Sequence, residues 1–237
     1  NNWKGRFAKG GSIRGFDDGG DLDLDYQRKF GFDTFDEIIK DFNTHLSDSS
    51  YDYYAKNGMK RTISNTVKNP LDAIKGGSAW DRNIATIALT STPFAKNIIP
   101  KAPLTPFNIS SHSFGPEVGW GAQFSEPDSS ITLNRSYLKD IPQSLVSVNH
   151  EVSHLLYSNL MKNSPMNENT TQGFPQAQEF RNKYYDILMD KNPMIRKMQV
   201  DDVLPFIVSG GNGQGNALNF VLNEAVAYSS SLIKPNE

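Results

Sequence analysis

The sequence predicts an α+β protein, mainly helical with a small sheet. Two observations carry this. Long apolar stripes recur at three- and four-residue steps around 34–46, 142–161 and 217–232, as amphipathic helices require. Short segments of partial apolar–polar alternation, 119–124 and 130–134, flank a turn and read as a hairpin. The chain has 237 residues, 37% hydrophobic and 21% charged, which suits one domain with a small N-terminal appendage.

Taken in order, residues 1–30 are expected to be an irregular leader rich in Gly and Asp, ahead of a single domain over 31–237. The run DDGGDLDLD fails as a calcium loop. Counted from Asp21, the sixth and twelfth positions hold Tyr26 and Phe32 where Gly and Glu are needed. Phe35, Ile38, Ile39, Phe42 and Leu46 then mark a helix over 34–46 that also carries His45 as an ordinary surface histidine. NIATIAL, 83–89, fits either a strand or a buried helical turn. Pro93, Pro100, Pro103 and Pro106 predict a broken loop that continues through His112.

The hairpin follows, GWGAQF and SITLN joined by SEPDS, and then a helix over 142–161. A polar loop (162–175), a helix (176–189), the glycine stretch SGGNGQGN (209–216) and a closing helix over 217–232 complete the chain. The glycine stretch lacks the Lys-Ser/Thr of a phosphate loop and the spacing of a dinucleotide site.

Composition excludes several functions. The formal net charge is −2 and the basic residues form no run, so nothing predicts nucleic-acid binding. The absence of cysteine removes disulfides, thiol nucleophiles and Cys-based metal sites. No apolar run reaches the ~18 residues of a membrane span.

The chemistry concentrates in VNHEVSHLLY, 148–157. One helical turn separates positions i and i+4, so His150 and His154 present two imidazoles on one face. Leu145, Val148, Val152, Leu155 and Leu156 fall on nearly the opposite side. Two neutral histidines and a carboxylate can bind Zn²⁺ and leave a fourth position for water, and Glu151 flanks that face as a general base. The plain alternative, a chance match on a surface helix, has to contend with a chain holding only four histidines.

A third ligand is needed, and no histidine follows His154. Among the downstream carboxylates Glu224 stands out. It lies between Leu222 and Val226 in an apolar helix, where a carboxylate is costly to bury without a cation. Glu179 is the reserve, although Arg181 and Lys183 beside it suggest a solvated face.

HEVSH at 150–154 and NEAVAY at 223–228 together resemble the zincin metallopeptidases. The second element is similar to the Asn-Glu-x-x-Ala segment that carries the third ligand of the glutamate-zincins. SITLN followed by a helix also resembles their layout, in which an edge strand of a small mixed sheet flanks the active-site helix. The resemblance covers roughly 115–232. It departs from the better-known branches in the 70 positions between His154 and Glu224, a gap more like those of bacterial toxin and secreted-effector proteases.

The resemblance implies one zinc per chain, held by His150, His154 and Glu224, and an endopeptidase with Glu151 as base. It implies a protein or peptide substrate bound as an added strand, and a chain secreted or delivered into a target cell. It also implies an oxyanion donor, for which Tyr228, Tyr157 and His112 compete. Two alternatives stay open: a non-catalytic zinc-binding domain, and a zinc amidase acting on cell-wall peptides.

Overall fold

A computed structural model describes residues 24–115, 118, 120–161, 223–224 and 226–232. Six helices and a four-stranded sheet make up these residues, an α+β arrangement. The first helix, α1 (Leu24–Ser47), begins ten residues before the expected start, so 24–30 are helical rather than irregular. Its buried stripe is Phe30, Phe35, Ile38, Ile39 and Phe42. Helix α2 (Tyr53–Ser64) was not foreseen. Asp52 caps it by accepting from the backbone N–H groups of Tyr54 and Ala55.

After a 3₁₀ turn (Pro70–Ala73) and the short strand β1 (Ile74–Lys75), helix α3 spans Ala79–Thr90. This resolves the ambiguous NIATIAL segment in favour of helix. Its start is a capping box in which Ser78 and Asp81 satisfy each other's backbone N–H. The proline-broken loop needs correcting twice. Pro93 opens the short helix α4 (Pro93–Asn97), where a residue lacking an N–H costs nothing. His112 ends a regular strand, β2 (Phe107–His112), instead of lying in an irregular segment.

The expected hairpin is present as β3 (Ala122–Ser125) and β4 (Ser130–Asn134), which pair antiparallel. The sheet order is β1-β2-β4-β3, with β1, β2 and β4 parallel. SITLN, expected at the edge, is therefore an inner strand. Its parallel partner β2 went unread, and β3 takes the edge beside helix α5 (Ile141–Met161).

One face of the sheet, with Phe107, Ile109, Ile131, Leu133 and Ala122, is buried. Helices α3 and α5 pack on the sheet and against each other. Residues 223–224 and 226–231 form the last described helix, α6. The helix expected over 176–189, the glycine stretch and Glu179 lie outside the described residues.

Candidate metal centre

Helix α5 buries Val148, Val152, Leu155 and Leu156 in the core, as its pattern requires. The opposite face is not left to water. Helix α6 covers it, so His150 and His154 are 6% and 8% exposed and Glu224 is 9% exposed. The close approach has a local cause. Ser153 and Ser230 meet at 3.1 Å between hydroxyls, each within hydrogen-bond reach of the carbonyl one turn back on its own helix. From the far side, Gly31 of α1 leaves room for the backbone of Ser229 and Ser230; a Cβ there would sit 2.5 Å from the Ser230 nitrogen.

This packing brings the three sequence-derived ligands together. His150 Nε2 lies 3.5 Å from Glu224 Oε2, and His154 Nε2 lies 3.6 Å from Glu224 Oε1. The two Nε2 atoms are 2.9 Å apart. One ligand atom from each residue falls within 4.8 Å of the others, and the group can hold a metal ion. Tetrahedral zinc with bonds near 2.05 Å has ligand–ligand edges of about 3.3 Å, so the two imidazoles would have to separate slightly, and each now faces a different oxygen of Glu224.

Each imidazole is also oriented from behind. His154 Nδ1 donates to Asn223 Oδ1 at 2.9 Å, and the His150 ring donates to the Ala227 carbonyl. Such outer partners fix which nitrogen faces an ion. Both come from α6, the helix that carries Glu224. Asn223 had no role in the sequence reading, though its place beside Glu224 in NEAVAY was the available signal.

The hydrogen bonds also locate a proton. With its Nδ1 donating to Asn223, His154 can accept at Nε2 from a proton on His150 Nε2. Burial disfavours charge on His150. The hydrogen bond to Glu224 and the charges of Glu151 and Glu224 outweigh it, and its pKa is raised above the ordinary 6.5. Burial likewise opposes ionisation of Glu224, but the charge of His154 and the bond and charge of His150 hold its carboxyl below the usual range. Without metal, a proton on His150 thus occupies the place suited to a cation.

Glu151 lies beside this group and is 5% exposed. Burial raises its pKa more than the two histidines lower it. Its carboxylate accepts the backbone N–H of Phe124 on β3. The Asn134 N–H bonds to the Gly121 carbonyl, so in this register Gly121, Gln123 and Ser125 pair inward to β4. The backbone groups of Ala122 and Phe124 consequently face away from the sheet.

The three possible oxyanion donors are placed differently. The Tyr228 ring lies tilted against His150 at 4.4 Å between centroids. Tyr157 is buried in the core cluster, and His112 is exposed at the end of β2, against Phe114. The chain matches no protein-family model, no curated protein and no solved structure.

Proposed function

We propose that this chain is a zinc-dependent peptidase of the glutamate-zincin type, acting on a peptide laid along β3. The observation that carries this reading is the buried group of His150, His154 and Glu224 with Glu151 next to it. His150, His154 and Glu224 would hold the ion. Zinc, when bound, supplies a Lewis acid that acidifies water and polarises a carbonyl.

The remaining work falls to the chain. Asn223 and Ala227 fix the imidazoles so that both Nε2 atoms face inward. Glu151 takes a proton from water and delivers it to the leaving amine. Its hydrogen bond from Phe124 holds the carboxylate at the level where the outward backbone groups of β3 would align a substrate. Tyr228, one of the three oxyanion candidates, has its ring against the proposed ligand His150. The retained and buried Glu151 favours catalysis over a purely structural metal site, which would gain nothing from an extra desolvated carboxylate.

Two variants test this. Glu151→Gln should keep about one zinc per chain and lose peptide hydrolysis by roughly 10²-fold or more, the scale of a general base. Glu224→Ala should lose zinc itself, read by metal analysis after dialysis. Full hydrolysis in the first variant or full zinc in the second would defeat the corresponding assignment.

A further inference from the structure

Two aromatic side chains stand apart from the core. Phe114 and Trp120 are half-buried and lie tilted against each other, ring centroids 4.7 Å apart, while neither is packed against the hydrophobic cluster that gathers Phe124, Tyr137 and Leu145. His112 adds a ring edge at 5.9 Å from Phe114.

The loop carrying this pair is held by a fully buried side chain. Asn134 donates from Nδ2 to the carbonyls of Trp120 (3.0 Å) and Val118 (3.4 Å), and its Oδ1 accepts from the N–H groups of Ser136 (3.1 Å) and Phe114 (3.5 Å). A buried amide satisfied at both ends by one loop fixes the backbone that displays the rings.

Its location gives this display a use. Gly121, next to Trp120, sits against Ser147 of α5; a Cβ on it would come within 3.0 Å of the Ser147 hydroxyl and 2.9 Å of Leu138. Ser147 is one turn before Glu151. Trp120 therefore lies at the head of the β3 edge, four residues or roughly 13 Å from Phe124 at 3.3 Å per residue.

We propose that the Phe114–Trp120 pair is the specificity subsite of the peptidase and takes an aromatic side chain of the substrate, three to four residues from the bond cut. This rests on the function proposed above. A peptide paired along the outward groups of Ala122 and the carbonyl of Phe124 carries its side chains past Trp120 at that separation. A tilted aromatic pair offers a third ring the edge-to-face contacts that aromatic clusters prefer.

The test uses zinc-loaded protein and a peptide library varied one position at a time. Wild type should cleave peptides with an aromatic residue at one position, three to four from the scissile bond, about ten-fold better in kcat/KM than those with alanine there. The difference should lie mainly in KM. Trp120→Ala should bring that ratio close to one, and Trp120→Phe should restore much of it. Zinc content and thermal midpoint, measured alongside, identify a variant that has misfolded; Phe114→Ala then supplies an independent reading.

Binding to zinc-loaded Glu151→Gln, by fluorescence anisotropy of the same peptides, separates this subsite from the chemistry. Cleavage without aromatic preference overturns the subsite and leaves the peptidase standing. Aromatic-selective binding that Trp120→Ala abolishes, with no cleavage by wild type, supports the subsite and overturns the peptidase. Neither binding nor cleavage overturns both.

Discussion

At the scale of single residues, the informative object is the proton on His150. It pairs with Glu224 and bonds to His154 where a cation would otherwise sit. Metal uptake has to expel it, and its raised pKa extends the competition above the ordinary 6.5. Zinc affinity should therefore fall as pH drops through the raised value and level off above it. Titration with a competing chelator from pH 6 to 9 measures this; a flat profile across that window would contradict the assigned proton. The ligands themselves were legible. His150 and His154 are one turn apart in sequence, and Glu224 is a carboxylate among aliphatic neighbours. Their orienting partners were not, because the Ala227 carbonyl leaves no trace in residue type and the one sign of Asn223 was its place beside Glu224.

At the scale of elements, the centre depends on how closely α1, α5 and α6 approach. Gly31 is one point of close contact, and an added methyl meets backbone atoms that cannot rotate away. Gly31→Ala should destabilise the fold by about 1–3 kcal/mol, the usual cost of overpacking. It should also weaken zinc binding, since the displaced helix carries Glu224. Thermal melts and metal analysis on the same sample check both; unchanged values in each would show that the helices have slack.

The same glycine explains why the first half of α1 went unread. It interrupts the apolar period, and its reason for being there is a contact with a segment almost 200 positions away. Helix α2 escaped notice because YYAKNGMKRTIS buries only Gly58, Met59 and Thr62 and leaves Tyr53 and Tyr54 exposed. Strand β2 was hidden by the prolines before it. FNISSH alternates weakly, because only its Phe107 and Ile109 face the core.

At the scale of the whole molecule, the C-terminal ends of β2 and β4 are tied to the start of α3 through Arg135. Its guanidinium donates to Ser111 and Ser78, lies 3.6 Å from buried Asp81 and covers the Trp80 ring at 4.9 Å. Burial opposes ionisation of Asp81. Bonds from Ser111 and Ser78 and the charge of Arg135 prevail, and its carboxyl lies below the ordinary 3.8. The sign follows from linkage: a lowered carboxylate stabilises fully above its unfolded pKa and loses that contribution as pH falls through the folded one. The stability gap between wild type and Asp81→Asn should thus be constant near neutrality and shrink below about pH 4. Denaturant melts across pH 2–7 report it, and a gap that persists at the acid end would remove Asp81 from the account. The coarse class was readable because periodicity reports local structure. The strand order was not, because only pairing reveals that β4 is an inner strand.

The two imidazoles are neighbours on α5, whereas the carboxylate arrives 70 positions after His154. A refolding chain can thus offer a weak bidentate grip as soon as α5 forms. The strong grip waits until α6, with Glu224, has docked. Zinc added during refolding should be captured in two kinetic phases, the slower one coinciding with arrival of α6, so the ion would serve as a timer for the last long-range step of assembly.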